Sequence, residues 1–89
     1  MKAVVTVIGK DRVGIIYDVS KILAESDINI INISQTIMDG YFTMIMITEI
    51  DNSTKNISEI KDIFDKFSKN SNLDVKVQHE DIFNSMHKI

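Results

Sequence analysis

The apolar positions of the chain follow two alternating periodicities. "AVVTVIG" (Ala3 to Gly9) is short, β-branched and apolar at both parities, the pattern of a strand covered on both faces. From Ile15 the spacing changes. At about 100° per residue, Ile15, Ile16, Val19, Ile22 and Leu23 share one sector while Asp18, Lys21 and Glu25 fall opposite, which predicts an amphipathic helix. Asp11, ahead of the first periodic residue, is the expected N-cap acceptor, and "SDIN" closes the helix between Glu25 and Asp27. "INIINISQTIMDGYFTMIMITEI" then holds two strands joined at Asp39–Gly40, a dipeptide suited to the positive φ values of a two-residue hairpin turn. Within the first of these strands the apolar parity slips, from Ile28 and Ile30 to Ile31, Ile33 and Ile37, which predicts a bulge or a late strand start. The second strand carries Phe42, Met44 and Met46 on one face and Ile45 and Ile47 on the other.

Beyond the polar "DNSTKN", a second helix is predicted by the stripe Ile57, Ile60, Ile63, Phe64 and Phe67, opened by a capping box of Asn56 and Glu59 and closed by "KNSN". "LDVKVQH" alternates Leu73, Val75 and Val77 against Asp74, Lys76 and Gln78, so it reads as a strand with one wet face. In the tail, Ile82, Phe83, Met86 and Ile89 stand at helical spacing. The order β-α-β-β-α-β predicts an α+β, ferredoxin-like fold: a four-stranded antiparallel sheet with two helices on one face, plus a short C-terminal helical tail. Residues 1–80 form the domain and residues 81–89 the tail. Right-handed crossovers place the first and third strands in the centre. Apolar residues on the face the helices leave open then need the tail, a second subunit, or both.

Composition narrows the function classes. The 89 residues include no cysteine, which excludes disulfides and thiolate metal sites, and no apolar run reaches the ~20 residues of a membrane span. "MKAVVTVIGKDRVG" lacks the form of a cleaved signal, so a soluble, cytoplasmic protein is expected, with no membrane partner. The net charge of −3, with Lys55, Lys61, Lys66 and Lys69 interleaved among Glu59, Asp62 and Asp65, describes a solvated helix face rather than a nucleic-acid footprint. "GYFTMIMI" has the look of a base-stacking third strand, but "AVVTVIG" offers no aromatic partner, so no nucleic acid is expected.

Candidate chemistry centres on "GKDRVG". An acylphosphatase-like enzyme would use such a loop to cradle phosphate with Arg12 and with Asn29 or Asn32, yet Asp11 would put a negative charge inside the cradle. His79, Glu80, Asp81 and His87 would hold zinc only if the tail folded back, and His79 simply continues the apolar parity of the last strand. No metal and no cofactor are expected. The start of the first helix, by contrast, offers unpaired N–H groups and a positive dipole end suited to a carboxylate. Gly14, placed in the first turn, admits close approach to the backbone. Whether a ligand, the strand beneath or a neighbouring subunit makes that approach is open on the residues alone.

"GKDRVGII", followed by "INIINISQ", resembles the ACT domain, a small-molecule-sensing module in which an Asp-Arg-x-Gly-Ile/Leu turn starts the first helix and an Asn-Ile pair opens the next strand. The likeness covers essentially the whole chain. The ending "VQHEDIFNSMHKI" is similar to that of stand-alone, one-domain members and, more distantly, to the ACT modules of the glycine-cleavage repressor. The resemblance implies regulation rather than catalysis. It implies a homodimer or higher homo-oligomer with a continuous sheet across subunits, a small amino-acid ligand where the first loop of one subunit meets the second strand of another, and a protein partner acted on in trans. A ligand-free assembly module is the alternative. By position, Asp11, Arg12, Val13, Gly14 and Ile15 match the loop, and Asn29, Ile30, Asn32 and Ile33 match the start of the strand. The expected ligand sets its carboxylate on the backbone N–H groups of Val13 to Ile15 and its ammonium on Asp11, Asn29 or Asn32. Ile15, Ile30 and Ile33 would form an apolar pocket, and Arg12 would face solvent or pair with Glu25 of a neighbour. Gly14→Val is expected to abolish binding while sparing assembly.

Overall fold

A computed structural model describes residues 1–86 and yields strands β1 (Lys2–Lys10), β2 (Asn29–Met38), β3 (Tyr41–Glu49) and β4 (Leu73–His79), with helices α1 (Ile15–Glu25), α2 (Ile57–Ser71) and α3 (Glu80–Met86). The sheet is antiparallel with the order β2-β3-β1-β4, so the two strands apolar at both parities are the central ones. The β-α-β-β-α-β order, followed by a C-terminal helix, is the ferredoxin-like fold. The hairpin between β2 and β3 turns at Asp39 (φ 53) and Gly40 (φ 80), with Met38 opposite Tyr41. The predicted slip in β2 is a bulge: pairing is interrupted between Ile30 and Asn32, leaving Ile31 without a cross-strand partner.

One face of the sheet carries the core. Ala3, Val5 and Val7 of β1, Phe42, Met44 and Met46 of β3, and Leu73, Val75 and Val77 of β4 meet Ile15, Val19 and Leu23 of α1 and Ile60 and Phe64 of α2. Phe64 and Phe67 pack edge to face, with ring centroids 6.4 Å apart. Thr48, fully buried, donates its hydroxyl to the Ala3 carbonyl at 2.8 Å, so its polarity is satisfied inside the core. The capping box of α2 forms as predicted: the Asn56 side chain accepts from the Glu59 N–H and the Glu59 carboxylate from the Asn56 N–H. Asn72, at φ 59, ends α2 in the left-handed region.

Two expectations need correction. Asp11 does not cap α1: the helix begins four residues later, Gly14 occupies the N-cap position, and no side chain caps it. The chain uses residues 11–14 to turn from strand to helix, and the Asp11 N–H instead donates to the Gly40 carbonyl at 2.8 Å. Ile16 is 39% exposed, because the stripe of α1 that meets the sheet runs through Ile15, Val19 and Leu23 and stops short of it. On the open face, apolar cover is partial. There α3 packs against β1 and β4, and Val4 is buried, while Ile8 remains 46% exposed. Met86 closes α3, and the expectations for the Met86 side chain, His87 and Ile89 lie outside the described residues.

Candidate ligand-binding turn

The two glycines of "GKDRVG" do different work. Gly9, on the core face of β1, stands opposite Leu73. A Cβ there would lie 2.6 Å from Leu73 Cδ2 and 3.2 Å from the Asn72 carbonyl, so its small size lets β4 leave α2 at close range. Gly14 sits at φ +88, and a Cβ built on it meets nothing nearer than the Arg12 guanidinium at 3.9 Å. Its need is therefore conformational, since only glycine takes up that dihedral without strain. Any side chain at position 14 distorts the turn, so Gly14→Val cannot separate ligand contact from backbone strain.

The other turn residues take distinct positions. Arg12 folds back on its own chain, one guanidinium nitrogen 3.1 Å from an Asp18 carboxylate oxygen and another donating to the Val13 carbonyl at 3.0 Å. Within one chain Arg12 is therefore both solvent-exposed and paired with Asp18. Val13 is 98% exposed, whereas the Ile15 side chain is buried in the core and offers only its backbone to a ligand. Asp11, Gly14 and Ile16 line a shallow hollow of about 210 Å³ with Tyr17, Gln35 and Ile37. On the opposite side of the turn, Lys10, Asp11 and Arg12 face Ser71 and Asn72 across a cleft of about 430 Å³.

The strand residues matched to the loop stand elsewhere in the same chain. Asn29 is opposite Glu49, and Asn32 is opposite Ile47, while the turn sits beside the hairpin where Met38 meets Tyr41. At about 3.3 Å per residue the two asparagines are roughly 20–30 Å of strand away from that hairpin. Because directly opposed residues share a face, both asparagines also lie on the open side, while α1 covers the other. Ile30 packs against the core, and Ile33 is 41% exposed on the helix side. A single chain thus brings together Asp11, Arg12, Gly14 and the backbone of Ile15, but not Asn29, Ile30 or Asn32. Gln35 and Ile37, which do approach the turn, were not expected. Counting back from the hairpin pairs Ile37 with Phe42 and Gln35 with Met44, and that register is the signal that finds them.

The profile of the ACT domain family matches residues 2–78. The chain belongs to the ACT domain family. It is 68% identical over 89 residues to a UPF0237 protein of Clostridium perfringens, and the alignment covers all of both chains. An ACT domain protein from Streptococcus pneumoniae has a solved structure that superposes with a TM-score of 0.81 at 38% identity, covering 93% of each chain. The fold is shared as well with a putative glycine cleavage system transcriptional repressor, at a TM-score of 0.73 and 24% identity over 89% of this chain and 47% of that one. The members of this family are typically regulatory, ligand-binding modules.

Proposed function

We propose that this ACT domain binds a small amino acid at the β1–α1 turn, works as a homo-oligomer, and acts on a protein partner in trans by binding rather than by turnover. The carrying observation is the start of α1, where no side chain caps the helix and Asp11 shares a hollow with Gly14. Free N–H groups and a positive dipole end suit a carboxylate, and the adjacent acid suits an ammonium. An exposed apolar surface surrounds the hollow: Val13, Ile16 and Tyr17 on one side, Ile33 and Ile37 of the edge strand on the other. A second copy covering that surface would bring its own β2 toward the turn. Family membership supports the regulatory role.

A thermal-shift screen of the common amino acids tests the reading, with sedimentation velocity on the same samples. A ligand at 100 times its dissociation constant stabilises the folded state by about 2.7 kcal/mol, a shift such a screen registers. Asp11→Asn, which keeps the shape and removes the charge, is expected to abolish the shift without changing the sedimentation coefficient. A flat screen over an intact oligomer would replace the proposal with a ligand-free assembly module.

A further inference from the structure

On the sheet face opposite α1 and α2, a groove of about 280 Å³ runs between β4 and α3. Thr6, Ile8 and Ile45 form its floor, Phe83 of α3 forms one wall, and Asp74 and Lys76 stand on the other rim. The charged pair is two residues apart on one strand, so both side chains rise from the same face, about 6–7 Å apart at their bases. Neither side chain forms an ion pair or a hydrogen bond with any described residue. Arg12 of the β1–α1 turn, by contrast, is already held by Asp18. Among the described residues the groove therefore offers a largely apolar floor, an aromatic wall, and one cation and one anion without an ion-pair partner. Its volume is below that of drug-sized sites, which favours a small solute.

We infer that this groove is a second ligand site, separate from the β1–α1 turn, for a small zwitterion with an apolar body. The solute's carboxylate meets the Lys76 ammonium, its own ammonium meets the Asp74 carboxylate, and its apolar part lies on Ile8 and Ile45 against Phe83. Because α3 supplies that wall, occupancy fixes the tail helix against the sheet. The site does not depend on a second copy of the chain.

The test is a heteronuclear NMR titration of the full chain with L-leucine as the probe, alongside N-acetyl-L-leucine and L-leucinamide, each of which lacks one of its charges. The expected result is saturable shifts at Ile8, Ile45, Lys76 and Phe83 with L-leucine, and about tenfold or weaker affinity for either control, as the loss of one charge-assisted contact implies. Asp74→Asn and Lys76→Gln, both exposed edge-strand changes, are expected to weaken binding similarly while leaving the rest of the spectrum in place. Shifts confined to residues 10–17 would overturn the groove while leaving the turn site standing. Equal response to all three probes would overturn the zwitterion assignment. Absence of any shift at the groove would overturn it as well. So would shifts at the groove that follow protein concentration rather than probe, which would assign the face to a second copy.

Discussion

Gly9 and Gly14 bracket one turn, and their substitutions separate packing from backbone strain. Gly9→Ala pushes a methyl into the buried Leu73 side chain and toward the Asn72 carbonyl. It is expected to lower unfolding free energy by about 1–3 kcal/mol, the usual cost of overpacking. Gly14→Ala meets open space, so only the left-handed dihedral resists it, at about 1–2 kcal/mol. Urea denaturation measures both. A compensating Leu73→Val change, which shortens the side chain facing Gly9, should recover part of the Gly9→Ala loss and none of the Gly14→Ala loss. Recovery at both positions, or at neither, would remove the distinction.

At the scale of elements, α2 and the ends of the central strands are held by local devices. Asn56→Ala removes the acceptor of the capping box and is expected to cost about 1 kcal/mol, readable as a fall in the urea midpoint with an unchanged slope. The start of β1 is tied to the end of β3 by the Met1 ammonium, which donates to Asp51 and to Glu49. Those hydrogen bonds, that of Asp51 first, raise the ammonium above its ordinary pKa, and the same ammonium is the largest cause lowering the Asp51 carboxyl. The raised amine contributes stability that is complete below its ordinary pKa and fades as pH climbs through the raised value. The lowered carboxyl contributes above its ordinary pKa and fades as pH falls through the lowered one. Both groups are exposed, so the effect is small and screened by salt. A shallow alkaline decline in melting temperature, steeper at low ionic strength and flattened in Asp51→Asn, is the expected signature.

For the whole molecule, the unequal treatment of the two sheet faces decides what the surface can do. The helix face is covered by α1 and α2 except along the edge strand β2, whereas among the described residues the open face has only α3, which packs on β1 and β4 while Val4 is buried beneath that side. Ending the chain before Phe83 is expected to lower the unfolding midpoint and to increase binding of an apolar dye, as the sheet becomes uncovered. An unchanged midpoint together with unchanged dye binding would show that α3 contributes nothing to the cover. The second exposed apolar region, along α1 and the edge strand β2, lies on the opposite side and is left intact by that truncation.

The element order, the central place of β1 and β3, the Asp39–Gly40 hairpin, the β2 bulge and the α2 capping box were all legible in the sequence. Each rests on interactions between near neighbours: alternation, a parity slip, a turn dipeptide or a three-residue cap. The ACT membership was legible for the same reason, since its turn motif is local. The N-cap of α1 was not, because both Asp11 and Gly14 suit that role and the sharpness of the turn selects between them only when β1 and the hairpin are in place. Periodicity alone could not reveal that Ile16 is exposed, since burial depends on where the sheet ends beneath the helix. The pairing of Arg12 with Asp18 follows from how the turn enters α1, and the separation of Asn29 and Asn32 from the turn follows from the direction in which β2 runs to the hairpin. Local chemistry thus determined which elements form and which family they make, while the site's membership was decided by register and strand direction, which exist only once distant segments have packed.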